Sequence, residues 1–166
     1  MAGCNRRQMQ RAALLGMVLL GFGIAAQRAR ATDPPADPCS LLTSAQLSGA
    51  LGEPYILPQE SVAPRPFANT AQGTDCLYKS GQDQVLLRVY FDASAAQATE
   101  LHARLKMFFG KDSTPASVGD EAYVDKNAAI HVRKGNVRYF LSISHGGTPS
   151  GQKQVLALAG LVAAEL

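Results

Sequence analysis

The side chains able to act as nucleophiles or metal ligands are few in this chain, which has three cysteines and three histidines. No two of His102, His131 and His145 stand at the H-x-H or i,i+4 spacing of a metal site. No cysteine pair has C-x-x-C spacing. We therefore predict no metal centre and no cofactor. His131, on a predicted strand, is expected at a solvated or rim position, and His102, on a predicted helix, is expected to be partly exposed.

Motifs of hydrolases and nucleotide-binding proteins are equally scarce. The chain lacks the G-x-S-x-G turn that presents a serine nucleophile. Gly146-Gly147 is too short for a phosphate-binding loop. The adjacent carboxylates of Asp120 and Glu121 would suit general acid–base chemistry, but a solvated turn explains them better. We therefore predict no catalytic residues and a protein that is not an enzyme.

Four basic residues of the predicted strands and hairpin are placed to gather in space near that hairpin. If they share a sheet face, they would bind an anionic group, although the acidic residues nearby favour a mixed, solvated face. These residues are Arg88, Arg133, Lys134 and Arg138.

Residues 1–31 have the pattern of a cleavable signal peptide. Arginines precede an apolar run of 15 residues, 12–26, and Ala29-Arg30-Ala31 supplies a small-x-small cleavage site. The run is shorter than the roughly 20 residues that span a bilayer. We therefore predict cleavage before Thr32, no stable membrane span afterwards, and a periplasmic or secreted protein.

The net charge of +3 comes from this predicted signal peptide. Five of the 16 basic residues precede Thr32 and all 13 acidic residues follow it, which leaves 11 basic and 13 acidic groups, a net charge of −2. Nucleic acid and anionic membranes both require a clustered basic surface. The composition therefore argues against a nucleic-acid partner.

Two cysteines, Cys39 and Cys76, remain after cleavage, since Cys4 leaves with the signal. An even number of cysteines in an oxidising compartment favours a disulfide. The alternative is two free thiols, one of them a nucleophile activated by a nearby histidine.

The chain beyond the signal comprises a flexible proline-rich leader, 32–38, and one predicted domain, 39–166. The first predicted helix opens with a Thr43–Gln46 capping box and stops at Gly52. A second runs to about Phe109 and a third spans 152–165, separated by strands and a hairpin turn at 134–136. The second helix is predicted to bury Ala98, Leu101, Leu105 and Phe108.

The strands are predicted at 55–57, 74–79, 84–91, 121–124, 128–133 and 137–144, with a long irregular loop at 58–73 and a flexible connector at 145–151. This order predicts an α+β fold: a mostly antiparallel sheet with about three helices packed on it, layered α/β/α.

Several short motifs, in order, resemble a family of small secreted bacterial domains of unknown function (domain-of-unknown-function-3558-like). They are Cys39-Ser-Leu-Leu-Thr43, Cys76-Leu-Tyr78, Gly119-Asp-Glu-Ala-Tyr123 and Val132-Arg-Lys-Gly-Asn136. The resemblance implies the α/β/α layer of the PsbP and Mog1 type, with the two cysteines bridged. Many members are lipid-anchored after the signal, but no cysteine follows Ala31 here. The family implies no reaction or cofactor.

Two classes of function remain. The first is an exported non-catalytic envelope protein, an accessory or binding module for another envelope protein or a small ligand. The second is a small exported hydrolase or thiol enzyme. The lack of an assembled nucleophile–base motif favours the first.

Overall fold

The computed structural model describes residues 37–52, 54, 61–62, 72–109, 111–149 and 151–166. The predicted signal peptide, residues 32–36 of the leader and the predicted strand 55–57 lie outside these residues. So does most of the predicted loop 58–73.

The described residues form three helices and one antiparallel sheet. The helices are α1 (Ser44–Leu51), α2 (Ala95–Phe109) and α3 (Gln152–Glu165), preceded by a 3-10 helix at Pro38–Leu41. The strands are β1 (Ser61–Val62), β2 (Gln72–Ser80), β3 (Asp83–Phe91), β4 (Thr114–Ala116), β5 (Glu121–Val124), β6 (Ile130–Lys134) and β7 (Val137–His145). Their order is β1-β2-β3-β7-β6-β5-β4, and a short strand β8 (Thr148–Pro149) pairs with β7. The α+β prediction is confirmed.

Local sequence determines where α1 begins and ends. The Thr43 hydroxyl accepts from the backbone N–H of Gln46, and the Thr43 N–H donates to the Gln46 side chain at 2.8 Å. The two bonds satisfy donors that the first helical turn leaves without partners. Gly52 closes the helix with φ +81°, a conformation that glycine adopts without strain.

One face of the sheet carries the hydrophobic core. Alternate residues of β3 (Val85, Leu87 and Val89) point to this core face and are fully buried. Their partners on β7 are Ile143, Leu141 and Tyr139. Helices α1 and α3 cover them.

Buried hydroxyl groups tie the covering elements to the core face. Tyr139 donates to the Ala159 carbonyl of α3 at 2.7 Å, and Tyr78 donates to the Cys39 carbonyl at 2.7 Å. Because each phenol is buried with a partner, it contributes packing area without an unsatisfied polar group.

Cys39 and Cys76 lie at disulfide distance, with 1.97 Å between their sulfur atoms and 5.4 Å between their Cα atoms. The pair fits the predicted disulfide. It links the 3-10 helix to β2 across 37 positions of the sequence.

Within the described part of the chain, no helix is long and apolar enough to cross a membrane.

The structure adds three strands to those predicted, β1, β4 and β8. Thr114–Ala116 lies between the second predicted helix and the predicted strand 121–124 but forms β4 beside β5, and Thr148–Pro149 lies in the predicted connector. Residues 61–62 form β1 and residues 72–73 begin β2, inside the predicted loop 58–73. These segments are too short for a periodic sequence signal, so only pairing with a longer strand defines them.

Candidate functional site

The second face of the sheet, which we call the site face, carries the alternate residues of the same strands. On β3 these are Leu86, Arg88 and Tyr90, all half-buried. Arg88 lies opposite Phe140 of β7, and Tyr90 lies opposite Arg138. Unlike the core face, this face mixes aromatic and charged side chains.

Helix α2 covers only part of the site face. Its buried residues are Ala98 and His102, and His102 packs on Tyr123 of β5 with 5.3 Å between ring centres. Leu101 and Leu105 remain half-buried, and Phe108 is 79% exposed. The predicted burial of Phe108 is therefore wrong. Helix α2 contacts the sheet through Ala98 and His102, at one edge of its apolar stripe. The remaining residues of the stripe extend over β3 and β7 as an overhang.

A cavity of about 620 Å³ lies beneath this overhang. That volume falls in the range of small-molecule sites in proteins, roughly 300–1,000 Å³. Its walls are mostly apolar, with α2 on one side and the site face on the other. The lining residues are Arg88, Tyr90, Leu101, Arg104, Leu105, Phe108, Phe109, Asp125, Asn127, Ala129, His131, Arg138, Phe140, Ser142, Ile143, Ser144 and Pro149.

Two arginines of the lining are held by carboxylates. Arg88 donates from Nε and Nη2 to Asp75 of β2, both at 2.6 Å. Arg138 donates in the same way to Asp92, at 2.6 and 3.0 Å. A forked pair of this kind fixes the guanidinium plane. The hydrogen bond to Asp75 raises the pKa of Arg88.

Tyr90 neighbours both arginines on the site face, since it lies two residues after Arg88 and directly opposite Arg138. The guanidinium carbon of Arg138 is 5.1 Å from the Tyr90 ring centre, within cation–π range. Burial raises the pKa of Tyr90, opposed by the nearby positive charge of Arg88. Tyr90 therefore offers the cavity a neutral hydroxyl at neutral pH.

His131 lies at the β6 side of the cavity and is only 8% exposed, so its predicted rim position is wrong. Its Nε2 is 3.3 Å from Asp125 Oδ2. Its ring is nearly parallel to that of Tyr123 at 4.7 Å and meets Phe140 edge-on at 5.1 Å. Burial lowers the pKa of His131, against the opposing hydrogen bond from Asp125. The ring is therefore neutral at pH 7.

His102 is buried as well, at 1% exposure, which contradicts the predicted partial exposure. Burial lowers its pKa to about 4. Among the described residues, its Nε2 has no hydrogen-bond partner, and neither has the buried Tyr123 hydroxyl. Burial, with the nearby carboxylate of Asp125, raises the pKa of Tyr123 to about 12. This cluster is therefore uncharged at neutral pH.

The other residues singled out in the sequence lie outside the cavity. Asp120 accepts from Arg133 and from the Gly135 N–H, and so stabilises the β6–β7 turn. His145 is exposed and lies against Asp83. Lys134 donates to the Ala163 carbonyl of α3. Of the four basic residues near the hairpin, only Arg88 and Arg138 meet at the cavity.

Among the described residues, no group of three or more histidine, cysteine, aspartate or glutamate side chains is placed to hold a metal ion.

The sequence reasoning missed the acidic partners Asp75 and Asp92, and it did not single out Arg104. Period-two alternation along the predicted strand 84–91 puts Arg88 and Tyr90 on one face. The carboxylate partners of these arginines can be identified only from the strand register, because 46 positions separate Arg138 from Asp92.

No protein-family model matches this chain, and no curated protein matches it in sequence. The cavity and its side chains are therefore the basis for a functional proposal.

Proposed function

We propose that this chain is an exported, non-catalytic binding module of the bacterial envelope, and that the α2 cavity holds a small, largely apolar ligand. The observation that carries the proposal is the cavity itself, about 620 Å³ with mostly apolar walls, on the partly covered face of the sheet. Its location in the periplasm or outside the cell rests on the signal-like segment 1–31.

The exposed end of α2 supports a role in binding. Met107, Phe108 and Phe109 are 74%, 79% and 54% exposed, and the two phenylalanines line the cavity. Burying a side chain of that size is worth about 1.5–3 kcal/mol. A ligand that covers Phe108 and Phe109 would gain part of that free energy, which is a reason for a soluble protein to leave them uncovered.

The state of the polar groups supports binding over catalysis. Cys39 and Cys76 lie within bonding distance of each other, which leaves neither as a thiol nucleophile. The lining arginines are paired with carboxylates, and the His131 ring is packed among aromatic rings. The layered fold and the cysteine pair are also what the resemblance to small secreted bacterial domains implies, and we propose membership of that family on the same grounds.

The test is a titration of the protein with an uncharged apolar fluorophore, N-phenyl-1-naphthylamine. Leu105→Asp places a carboxylate in the apolar wall and should weaken binding at least about tenfold, because a charge beside the probe loses solvation. Met107→Asp is the matched control: it makes the same charge change on the same helix at an exposed residue outside the lining, and should leave binding unchanged.

Two results would contradict the proposal. One is the absence of saturable binding by the parent protein, or equal binding by both variants. The other is hydrolysis of p-nitrophenyl esters that Ser142→Ala abolishes, since Ser142 shares the cavity with the Asp125–His131 pair and a hydrolase would use such groups.

Intact mass of the protein exported by a bacterial host checks cleavage before Thr32.

A further inference from the structure

The charged groups of the cavity are distributed unevenly. Three arginines line it: Arg88, Arg104 and Arg138. Their carboxylate partners Asp75, Glu100 and Asp92 are not part of the lining. Asp125 is the single acid among the lining residues, and it contacts His131. Arginines thus line the cavity, while the carboxylates that pair with them lie outside the lining.

We propose that the ligand is an amphipathic anion, an apolar chain with one carboxylate or phosphate head group, which binds beside Arg88 and Arg138. This inference rests on the proposed function, because it gives the ligand of the same cavity its chemical class. The head group would lie on the site face at Tyr90, and the chain would run along Leu101, Leu105 and Phe108 of α2.

The sheet register places the two arginines for this task. Tyr90 and Arg138 are directly opposite on β3 and β7, and Arg88 lies two residues before Tyr90 on the same face. Diagonal positions of this kind are about 7–8 Å apart between Cα atoms, a span that long side chains bridge. Both guanidinium groups can therefore reach one head group.

Arg138 keeps hydrogen-bonding capacity beyond its carboxylate partner. A guanidinium has five N–H donors, and Asp92 binds Arg138 through Nε and Nη2. The carboxylate behind holds the guanidinium plane in place, so an anion on the cavity side meets an oriented donor. Tyr90 adds a neutral hydroxyl that can donate to the same head group.

The alternative ligand class is a neutral lipid or aromatic compound, which the apolar walls would also accept. Such a ligand would cover Arg88 and Arg138 without offering either side chain a hydrogen-bond acceptor. Burying a polar group in that way is unfavourable. The charge distribution therefore favours an anion over a neutral molecule of the same size.

The experiment uses two fluorescent probes that differ only in the head group, 11-(dansylamino)undecanoate and its methyl ester, with the full exported protein. The carboxylate should bind about tenfold more tightly than the ester, as expected for one charge-assisted hydrogen-bonded contact. Arg88→Gln should bring the carboxylate's affinity down to that of the ester, and Asp75→Asn should raise it. Because Arg88 lines the cavity and would contact either probe, the quantity compared is the ratio of the carboxylate's affinity to the ester's in each variant.

Arg133→Gln is the matched control, because Arg133 is also paired with an aspartate but does not line the cavity. Circular dichroism of each variant establishes that it is folded, and the partly exposed Arg88–Asp75 pair tolerates change better than the buried Arg138–Asp92 pair. Asp75→Asn, expected to strengthen binding, keeps the test informative even if Arg88→Gln unfolds.

Competition separates the two head groups. Displacement of the probe by dodecanoate, by dodecyl phosphate or by both, each more strongly than by dodecanol, supports the inference and shows which anion is preferred. Equal displacement by dodecanol overturns it. Equal binding of acid and ester in all variants overturns the anion inference and leaves the proposed function standing, whereas binding of neither probe overturns both.

Discussion

Replacing His102 by phenylalanine should remove much of the protein's sensitivity to mild acid. His102 lies on α2 against Tyr123, it is 1% exposed, and burial lowers its pKa from 6.5 to about 4. Between these pH values the unfolded chain binds a proton at this residue and the folded chain does not. Stability from this group is therefore fully present above pH 6.5 and is lost as the pH falls toward 4.

The size of the effect follows from the two pKa values. His102 has a pKa of 6.5 in the unfolded state and about 4 in the folded state. Acidification from pH 7.5 to pH 5 therefore lowers the free energy of unfolding by about 2 kcal/mol through this group. The Glu121 carboxylate opposes the shift, and His131, whose pKa burial also lowers, contributes in the same direction in both proteins. His102→Phe should therefore lose about 2 kcal/mol less than the parent over this interval.

Urea denaturation followed by circular dichroism at both pH values measures the difference. Phenylalanine retains a ring against Tyr123 and removes the Nε2 atom, for which no described residue is a partner, so folding at pH 7.5 should be preserved. Ala103→Phe, at the exposed neighbouring position, controls for the added phenyl ring and should behave like the parent. If His102→Phe loses as much stability on acidification as the parent, the buried neutral histidine is not responsible.

Two further perturbations test what holds the cavity walls in place. Reducing the Cys39–Cys76 pair, or the double change Cys39→Ser/Cys76→Ser, should lower the unfolding free energy by about 4 kcal/mol, the chain-entropy value for closing a loop of 37 residues; an unchanged urea midpoint after reduction would speak against the bond. Arg138→Met leaves the fully buried Asp92 without its partner and should cost about 3–5 kcal/mol, while the double change Arg138→Met/Asp92→Leu should recover most of it. Urea titration of the single and double variants compares them, and a single variant as stable as the parent would refute the role of that pair.

Elements fixed by neighbouring residues could be predicted from the sequence. The Thr43–Gln46 capping box and the αL conformation at Gly52 depend on side chains within one turn, and both bounds of α1 follow from them. The hairpin at 134–136 follows from Gly135, which has φ +57° between β6 and β7. Strand β3 and helix α3 follow from long periodic patterns.

Features that depend on long-range packing could not be predicted in this way. Strand β4 has only three residues, and one of them is Pro115. No sequence pattern of that length predicts a strand, so only its pairing with β5 defines it. His102 reads as a polar position on a helix, and its burial depends on where α2 meets Tyr123. The cavity itself is invisible in the sequence, because it depends on the contact of α2 with two strands that follow it in the chain.

The apolar stripe of α2 and the cavity have one physical origin. A stripe that includes Ala98, Leu101, Leu105 and Phe108 is wider than the strip of the helix that contacts the sheet, where Ala98 and His102 are buried. A helix lying flat on the site face would bury the whole stripe, but it would also press Leu105 and Phe108 onto Arg88 and Arg138, whose charged groups require polar partners. Because α2 contacts the sheet through Ala98 and His102, the cavity beside these arginines stays open. On our proposal, the same arginines give that cavity its preference for a negative charge.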